Sequence, residues 1–176
     1  MSTRACSILD DMNYNEGFKM NLVVRRANCN DANSILNFIR ELAEFEKLSQ
    51  QVCATSEKIE YTLKNENHIV HVFIAEYDQQ PVGYALCFYN YSTFLGQKGL
   101  YLEDLYISSA HRGKGFGKKL FQEVIRFAYE QNCGRIDWCV LDWNKSAHTF
   151  YQAMRAKVIP DWQIWRLEQS DFKALI

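Results

Sequence analysis

The sequence has no excess of either charge, no paired-cysteine motif, no long apolar run and no repeat, and each absence removes a class of function. Twenty Lys and Arg against 21 Asp and Glu leave a formal charge of −1 and a pI near 6.4. Nucleic-acid binders carry a broad basic face, so no nucleic-acid partner is expected. Six cysteines, Cys6, Cys29, Cys53, Cys87, Cys133 and Cys139, form no C-x-x-C pair and no zinc spacing with the four histidines. No metal is therefore expected. No apolar run approaches the roughly 18 residues of a membrane span, and no amino-terminal apolar segment suits a signal peptide. A reducing, cytoplasmic setting follows as the expectation, with no membrane partner. The sequons at Asn90 and Asn144 then read as chance. No internal repeat or linker divides the 176 residues, the size of one domain.

What is present is concentrated in Leu100 to Phe121, LYLEDLYISSAHRGKGFGKKLF. It reads as a strand, a short turn, a basic glycine loop and the start of a helix. Arg112, Gly113, Lys114, Gly115, Phe116 and Gly117 fit R-x-x-G-x-G, and Lys118 and Lys119 follow. Glycines let the backbone turn and bring its N–H groups close to a ligand, and a helix start favours an anion. The loop reads as a cradle for a phosphate or pyrophosphate. It is not a Walker loop, because three residues separate Gly113 from Gly117 and Lys119 stands where the metal-binding hydroxyl belongs. It is not a Rossmann turn either, because Lys118 occupies the third glycine position.

In chain order, residues 1–19 carry no sustained period and are expected to be an amino-terminal extension, with the domain in 20–176. Met20 to Ala27 reads as a strand. A helix capped by Asn30 or Asp31 runs to about Lys47, and a weaker one from Thr55 and Ser56 to about Lys64. Ile69–Tyr77 and Val82–Tyr91 read as a hairpin about a turn at Asp78–Gly83, followed by Leu100–Ile107 as a strand. The helix behind the loop carries the stripe Leu120, Phe121, Val124, Ile125, Ala128 and is closed by Gly134. Arg135–Trp143 reads as a buried strand with Cys139, like Cys87, as a small core residue. A helix follows from Asn144, and Lys157–Pro160 and Gln163–Glu168 read as two last strands. The fold class is α+β: one domain, with a central mixed, mostly antiparallel sheet flanked by helices.

For acyl transfer to an amine, Glu103 and Asp104 precede the loop and face opposite ways if the strand is regular. They serve equally as a solvated strand end. Tyr151 returns to nearly the face of Asn144 on a helix; its phenol can give a proton, or be core beside Phe150. Glu41, Glu44 and Glu46 flank Phe45, as substrate attractors or as a solvated face.

Four separated strings, RELAEFEKL (40–48), YLEDLY (101–106), the loop 112–117, and VLDWN (140–144) with Phe150-Tyr151, together resemble the diamine acetyltransferases of the GNAT superfamily. The resemblance covers Met20 to the carboxyl end. It implies the GNAT fold and acetyl-CoA-dependent N-acetylation of a small amine by direct attack in a ternary complex, in a homodimer. It assigns Leu105, Tyr106 and Ile107 to the pantetheine arm, Arg112 to Lys118 to the pyrophosphate, and Asn144, Lys145 and Ser146 to the coenzyme's flank. Glu103 matches the base, acting through water, and Tyr151 the general acid beside the coenzyme. Phe45, Glu46, Glu103 and Asp104 match amine contacts. Ser92 stands where polyamine enzymes have aspartate, which is similar to the thialysine branch. The expected amine is accordingly thialysine (S-aminoethylcysteine) or a lysine-like amine, with spermidine or spermine as the alternative. A protein N-acetyltransferase or a non-catalytic acyl-CoA-binding module is the further one. Arg155 stands where the family has glycine, and costs about 1 kcal/mol if that position needs positive φ.

Overall fold

The computed structural model describes residues 21–176, so the expected extension at 1–19 lies outside the described residues. The chain divides into two compact units at Trp138/Cys139. The first carries one five-stranded sheet in the order β1-β2-β3-β4-β5: β1 Leu22–Arg26, β2 Val70–Tyr77, β3 Gln80–Ser92, β4 Gln97–Ile107 and β5 Ile136–Asp137. The first four strands pair antiparallel and β5 joins β4 in parallel. The expected mixed, mostly antiparallel sheet is the one observed.

Helices α1 Ala32–Phe45, α2 Ser56–Asn65 and α3 Phe116–Glu130 flank this sheet. Ile35 and Phe38 on α1 pack with Val72, Ile74, Tyr84 and Tyr106 of the sheet, so the spacing of the apolar residues predicts the buried face. Leu120, Phe121, Val124 and Ala128 are buried on α3; Ile125, expected in that stripe, is 37% exposed at its margin.

Local chemistry moves several boundaries. The β2–β3 turn is only Asp78 and Gln79, both at positive φ, so Pro81 lies inside β3. The first cap is Asn28, which with Asp31 forms a capping box over a short 3₁₀ turn ahead of α1. Helix α3 ends at Asn132 in the left-handed region, with the Cys133 N–H donating to the Ala128 carbonyl at 2.9 Å. Gly134 instead donates its N–H to the Lys98 carbonyl at 2.9 Å, and a Cβ there would strike the Gln97 side chain.

The second unit, residues 139–176, holds α4 Lys145–Ala153 and α5 Gln169–Leu175. Here the expected strands fail. Among the described residues only Ile136 and Asp137 of Arg135–Trp143 form a strand, and Cys139 is exposed. Lys157–Pro160 and Gln163–Glu168 form no strand among the described residues, and α5 was not foreseen. β-Branched and aromatic composition makes a segment fit for a sheet but does not supply the strand that completes its ladder. Among the described residues no helix is long and apolar enough to cross a membrane.

Candidate active site

Two features of the first unit form an anion cradle continuous with a strand edge. Gly113 and Gly115 have φ of 76° and 81°, and nothing lies within 4 Å of where a Cβ would stand on either. The glycines thus provide both the turn and open space above it. The first bond of α3 runs from the Lys119 N–H to the Gly115 carbonyl at 3.1 Å, so the N–H groups of Phe116, Gly117 and Lys118 precede the helical ladder. Lys114, Lys118 and Lys119 are exposed and form no ion pair among the described residues. The strand leading in is unpaired on one side: β5 pairs with β4 only at Leu100 and Tyr101, so among the described residues Leu102 to Ile107 carry no ladder on that edge. Leu105, Tyr106 and Ile107 belong to this open stretch.

The acids of β4 sit at a break in the strand's alternation. Leu86 opposes Asp104 and Cys87 opposes Leu102, which leaves Glu103 as the extra residue of a β-bulge. The regular alternation expected for Glu103 and Asp104 therefore does not hold. Asp104 turns to the α1 side, where its Oδ2 accepts a 2.7 Å hydrogen bond from the hydroxyl of Tyr84; Glu103 is exposed. Burial pushes the Asp104 carboxyl above the usual carboxylate range, against the pull of the Tyr84 hydrogen bond, and Glu103 adds its charge. Glu46, the C-cap of α1, is raised too, by burial and then by the charge of Asp104. Tyr84 is fully buried, and burial and Asp104 raise its phenol well above the ordinary range. Sequence reasoning missed Tyr84, because in VGYALCF it is one more apolar strand residue. Only the β3–β4 register shows the acid beside it.

Phe45 and Glu46 are placed by the end of α1. Lys47 at φ 62° closes the helix, with the Leu48 N–H donating to the Ala43 carbonyl at 2.8 Å. Arg112 reaches from the glycine loop to this end: its guanidinium lies 5.2 Å from the ring centroids of both Phe45 and Tyr106, and its Nε donates to the Ile107 carbonyl at 2.9 Å. Tyr106 in turn donates to Glu41 Oε2 at 2.9 Å. Ser92 lies elsewhere, at the far end of β3, where its buried hydroxyl accepts from the Leu95 N–H at 3.3 Å within the β3–β4 turn.

In the second unit, Asn144 caps α4: its Oδ1 accepts from the Ala147 N–H at 3.1 Å and from the Ser146 hydroxyl at 2.9 Å. Lys145 donates to the Asp142 carbonyl at 3.0 Å. Tyr151 lies two turns along α4, its ring 5.1 Å from that of Phe150.

The sequence matches the Acetyltransferase (GNAT) family over residues 36–155. The chain belongs to the GNAT acetyltransferases. It is similar to a thialysine N-epsilon-acetyltransferase of Bos taurus, 35% identical over 165 residues that span 88% of this chain and 96% of the relative. A Caenorhabditis elegans relative of the same name is 40% identical over 123 residues, 70% of this chain and 75% of that one. With a spermidine/spermine N(1)-acetyltransferase-like protein of Homo sapiens also related, at 27% identity over 87% of this chain and 23% of that one, these matches put the chain in the diamine acetyltransferase branch. Among solved structures, an integron cassette protein from the V. cholerae mobile metagenome superposes with a TM-score of 0.72 at 24% identity, over 89% of this chain and 98% of that one. An aminoglycoside acetyltransferase from a soil metagenome gives 0.70 at 21%, over 84% and 97%. These two establish the fold.

GNAT enzymes use acetyl-CoA, and the residues of this GNAT chain fit that group. A pyrophosphate suits unpaired N–H groups ringed by free lysines, and an amide-bearing arm suits an unpaired strand edge. Among the described residues no group of His, Cys, Asp and Glu could hold a metal ion.

Proposed function

We propose that this N-acetyltransferase transfers the acetyl group of acetyl-CoA to a lysine-like primary amine, thialysine above others, in a ternary complex. The observation that carries this reading is the open edge of β4 running from the Glu103 bulge into the glycine loop, which sets a coenzyme site and an acid cluster on one strand. Bound acetyl-CoA supplies the acetyl thioester. The resemblance assigns Arg112 to Lys118 to its pyrophosphate, Leu105 to Ile107 to its amide arm, and Asn144, Lys145 and Ser146 to its flank.

An alkyl ammonium has a pKa near 10.4 and must lose a proton before it attacks. Glu103 accepts that proton through water, and Phe45, Glu46 and Asp104 hold the amine. Tyr151 returns a proton to the departing thiolate, an assignment that rests on the resemblance alone. The thialysine N-epsilon-acetyltransferases among its relatives support the lysine-like amine, whereas Ser92, turned into the β3–β4 hairpin away from the acid cluster, does not bear on the choice. The cluster of Glu41, Glu46 and Asp104 favours the second reading, spermidine or spermine, because more carboxylates suit more ammonium groups.

Released thiol measured with thialysine, lysine, spermidine, spermine and putrescine decides between them. Thialysine should lead by about tenfold in kcat/KM, about 1.4 kcal/mol of transition-state binding. Tyr151→Phe run beside it should keep acetyl-CoA binding and lose roughly 10²-fold in turnover. A lead for spermine moves the assignment to polyamines. Acetyl-CoA binding with no amine turnover moves it to a peptide substrate or a binding module.

We further propose a cytoplasmic homodimer. Trp162 and Trp165, 78% and 88% exposed, together with Ile159 and Ile164 offer apolar surface for a second copy to cover. Sedimentation should give about twice the 20.7 kDa chain mass, and a monomer at micromolar concentration would refute the dimer.

A further inference from the structure

The core beneath the amine-side acids contains three packed rings, and two of them end in hydroxyl groups that donate to carboxylates. Phe38 stacks on Tyr84 at 6.0 Å and lies 6.1 Å from Tyr106. Tyr84 donates to Asp104 and Tyr106 to Glu41. A phenylalanine would fill the Tyr84 site equally well for packing, since the ring is fully enclosed by apolar neighbours. For stability, a buried hydroxyl paired with a buried carboxylate gains little over an apolar pair of the same shape. The hydroxyl therefore has a use other than packing.

That use is visible in the strand. The bulge at Glu103 loosens β4 where Asp104 emerges, so the ladder alone does not fix the carboxylate. Tyr84, two residues before Leu86 on the neighbouring strand and rigid in the core, supplies the missing constraint. We propose that Tyr84 is a positioning residue for the amine site: its hydroxyl orients the Asp104 carboxylate so that this group, rather than the exposed Glu103, binds the ammonium end of the acceptor. The inference rests on the amine-acetyltransferase reading and deepens it. The charged groups that face the pair are Glu46 from the end of α1 and Glu103 from β4, both acidic, with Glu41 and Arg112 meeting at Tyr106 beside them. A cationic acceptor relieves the crowding of Asp104, Glu46 and Glu103.

The test is steady-state kinetics of Tyr84→Phe, Asp104→Asn and the double variant, with thialysine and acetyl-CoA varied separately. Tyr84→Phe should raise KM for the amine by roughly tenfold, with kcat changed less and KM for acetyl-CoA held, as befits one lost hydrogen bond to a charged group. Because the Tyr84 hydroxyl pulls the Asp104 carboxyl down, its removal should move the acidic limb of kcat/KM for the amine to higher pH. The double variant should lose no more than Asp104→Asn alone, since Tyr84 acts only through that carboxylate. A merely structural tyrosine would raise both KM values, leave the limb in place and add its loss to that of Asp104→Asn. Any of those three results overturns the proposal. Absence of amine turnover in the unsubstituted enzyme would overturn the functional reading itself, whereas normal turnover with an indifferent Tyr84→Phe overturns only this inference.

Discussion

At the scale of the residue, Arg155 bears a conformational cost that can be measured. It sits at φ 66° just past α4, where its N–H donates to the Gln152 carbonyl at 2.9 Å and the Ala156 N–H donates to the Tyr151 carbonyl at 3.0 Å. This is the helix ending that glycine normally makes, and a side chain in that region costs about 1–2 kcal/mol. Arg155→Gly removes the strain but also frees the unfolded chain, which takes back part of the gain. The expected net is about 0.5–1 kcal/mol of added stability and a Tm higher by about 1–4 °C, read by thermal unfolding. A lower Tm would show that Arg155 contributes contacts that outweigh its backbone strain. The Tyr84–Asp104 hydrogen bond was harder to find. Arg155 departs visibly from a glycine position, whereas the importance of Tyr84 arises from an acid twenty residues away across a strand boundary.

At the scale of the element, legibility followed the range of the interaction that makes each one. α1, α2 and α3 could be read because their apolar stripes repeat within a few residues, and the start of α2 because Thr55 accepts from the Lys58 N–H at 3.3 Å. The hairpin of β2 and β3 was legible for the same reason. The glycine loop stood out because its turn takes glycine at positive φ. The Glu103 bulge could not be seen, since it exists only as a mismatch between two strands brought together by the fold. Glu103 and Asp104 were picked out by their place before the loop and given roles by the resemblance, yet their unequal burial follows from that mismatch. Lys157–Pro160 and Gln163–Glu168 failed for the complementary reason. Their composition was read correctly as suited to a sheet, and a partner strand is a property of the chain elsewhere.

At the scale of the molecule, opposed groups decide how stability responds to acid. His71 is 7% exposed; its Nδ1 faces the Arg26 guanidinium at 2.9 Å, and its Nε2 has no partner among the described residues. Burial, then the charges of Arg26 and Lys98, push its imidazole down to about 4 from an ordinary 6.5. Below pH 6.5 the unfolded chain takes up a proton that the folded chain refuses, so stability falls as pH drops from 6.5 to about 4. Asp31, held low chiefly by hydrogen bonds from Arg25 at 2.8 Å, stays ionised after its unfolded counterpart protonates, so its contribution is lost at still lower pH. Asp104 and Glu46 act the other way. Their raised pKa values mean that the folded chain binds their protons first, and acid relieves the repulsion between them. Between pH 7.5 and 5 the His71 effect should dominate, because it alone spans that window with a large shift. His71→Phe keeps a ring against Tyr89 and Phe127, 4.8 and 4.7 Å away, and removes the titration. Urea unfolding at both pH values should show the unsubstituted protein losing about 1–2 kcal/mol more than the variant, a range reduced from the full shift because Arg26 faces water. Equal losses in the two proteins would mean that His71 protonates in place and that its burial does not govern the acid response.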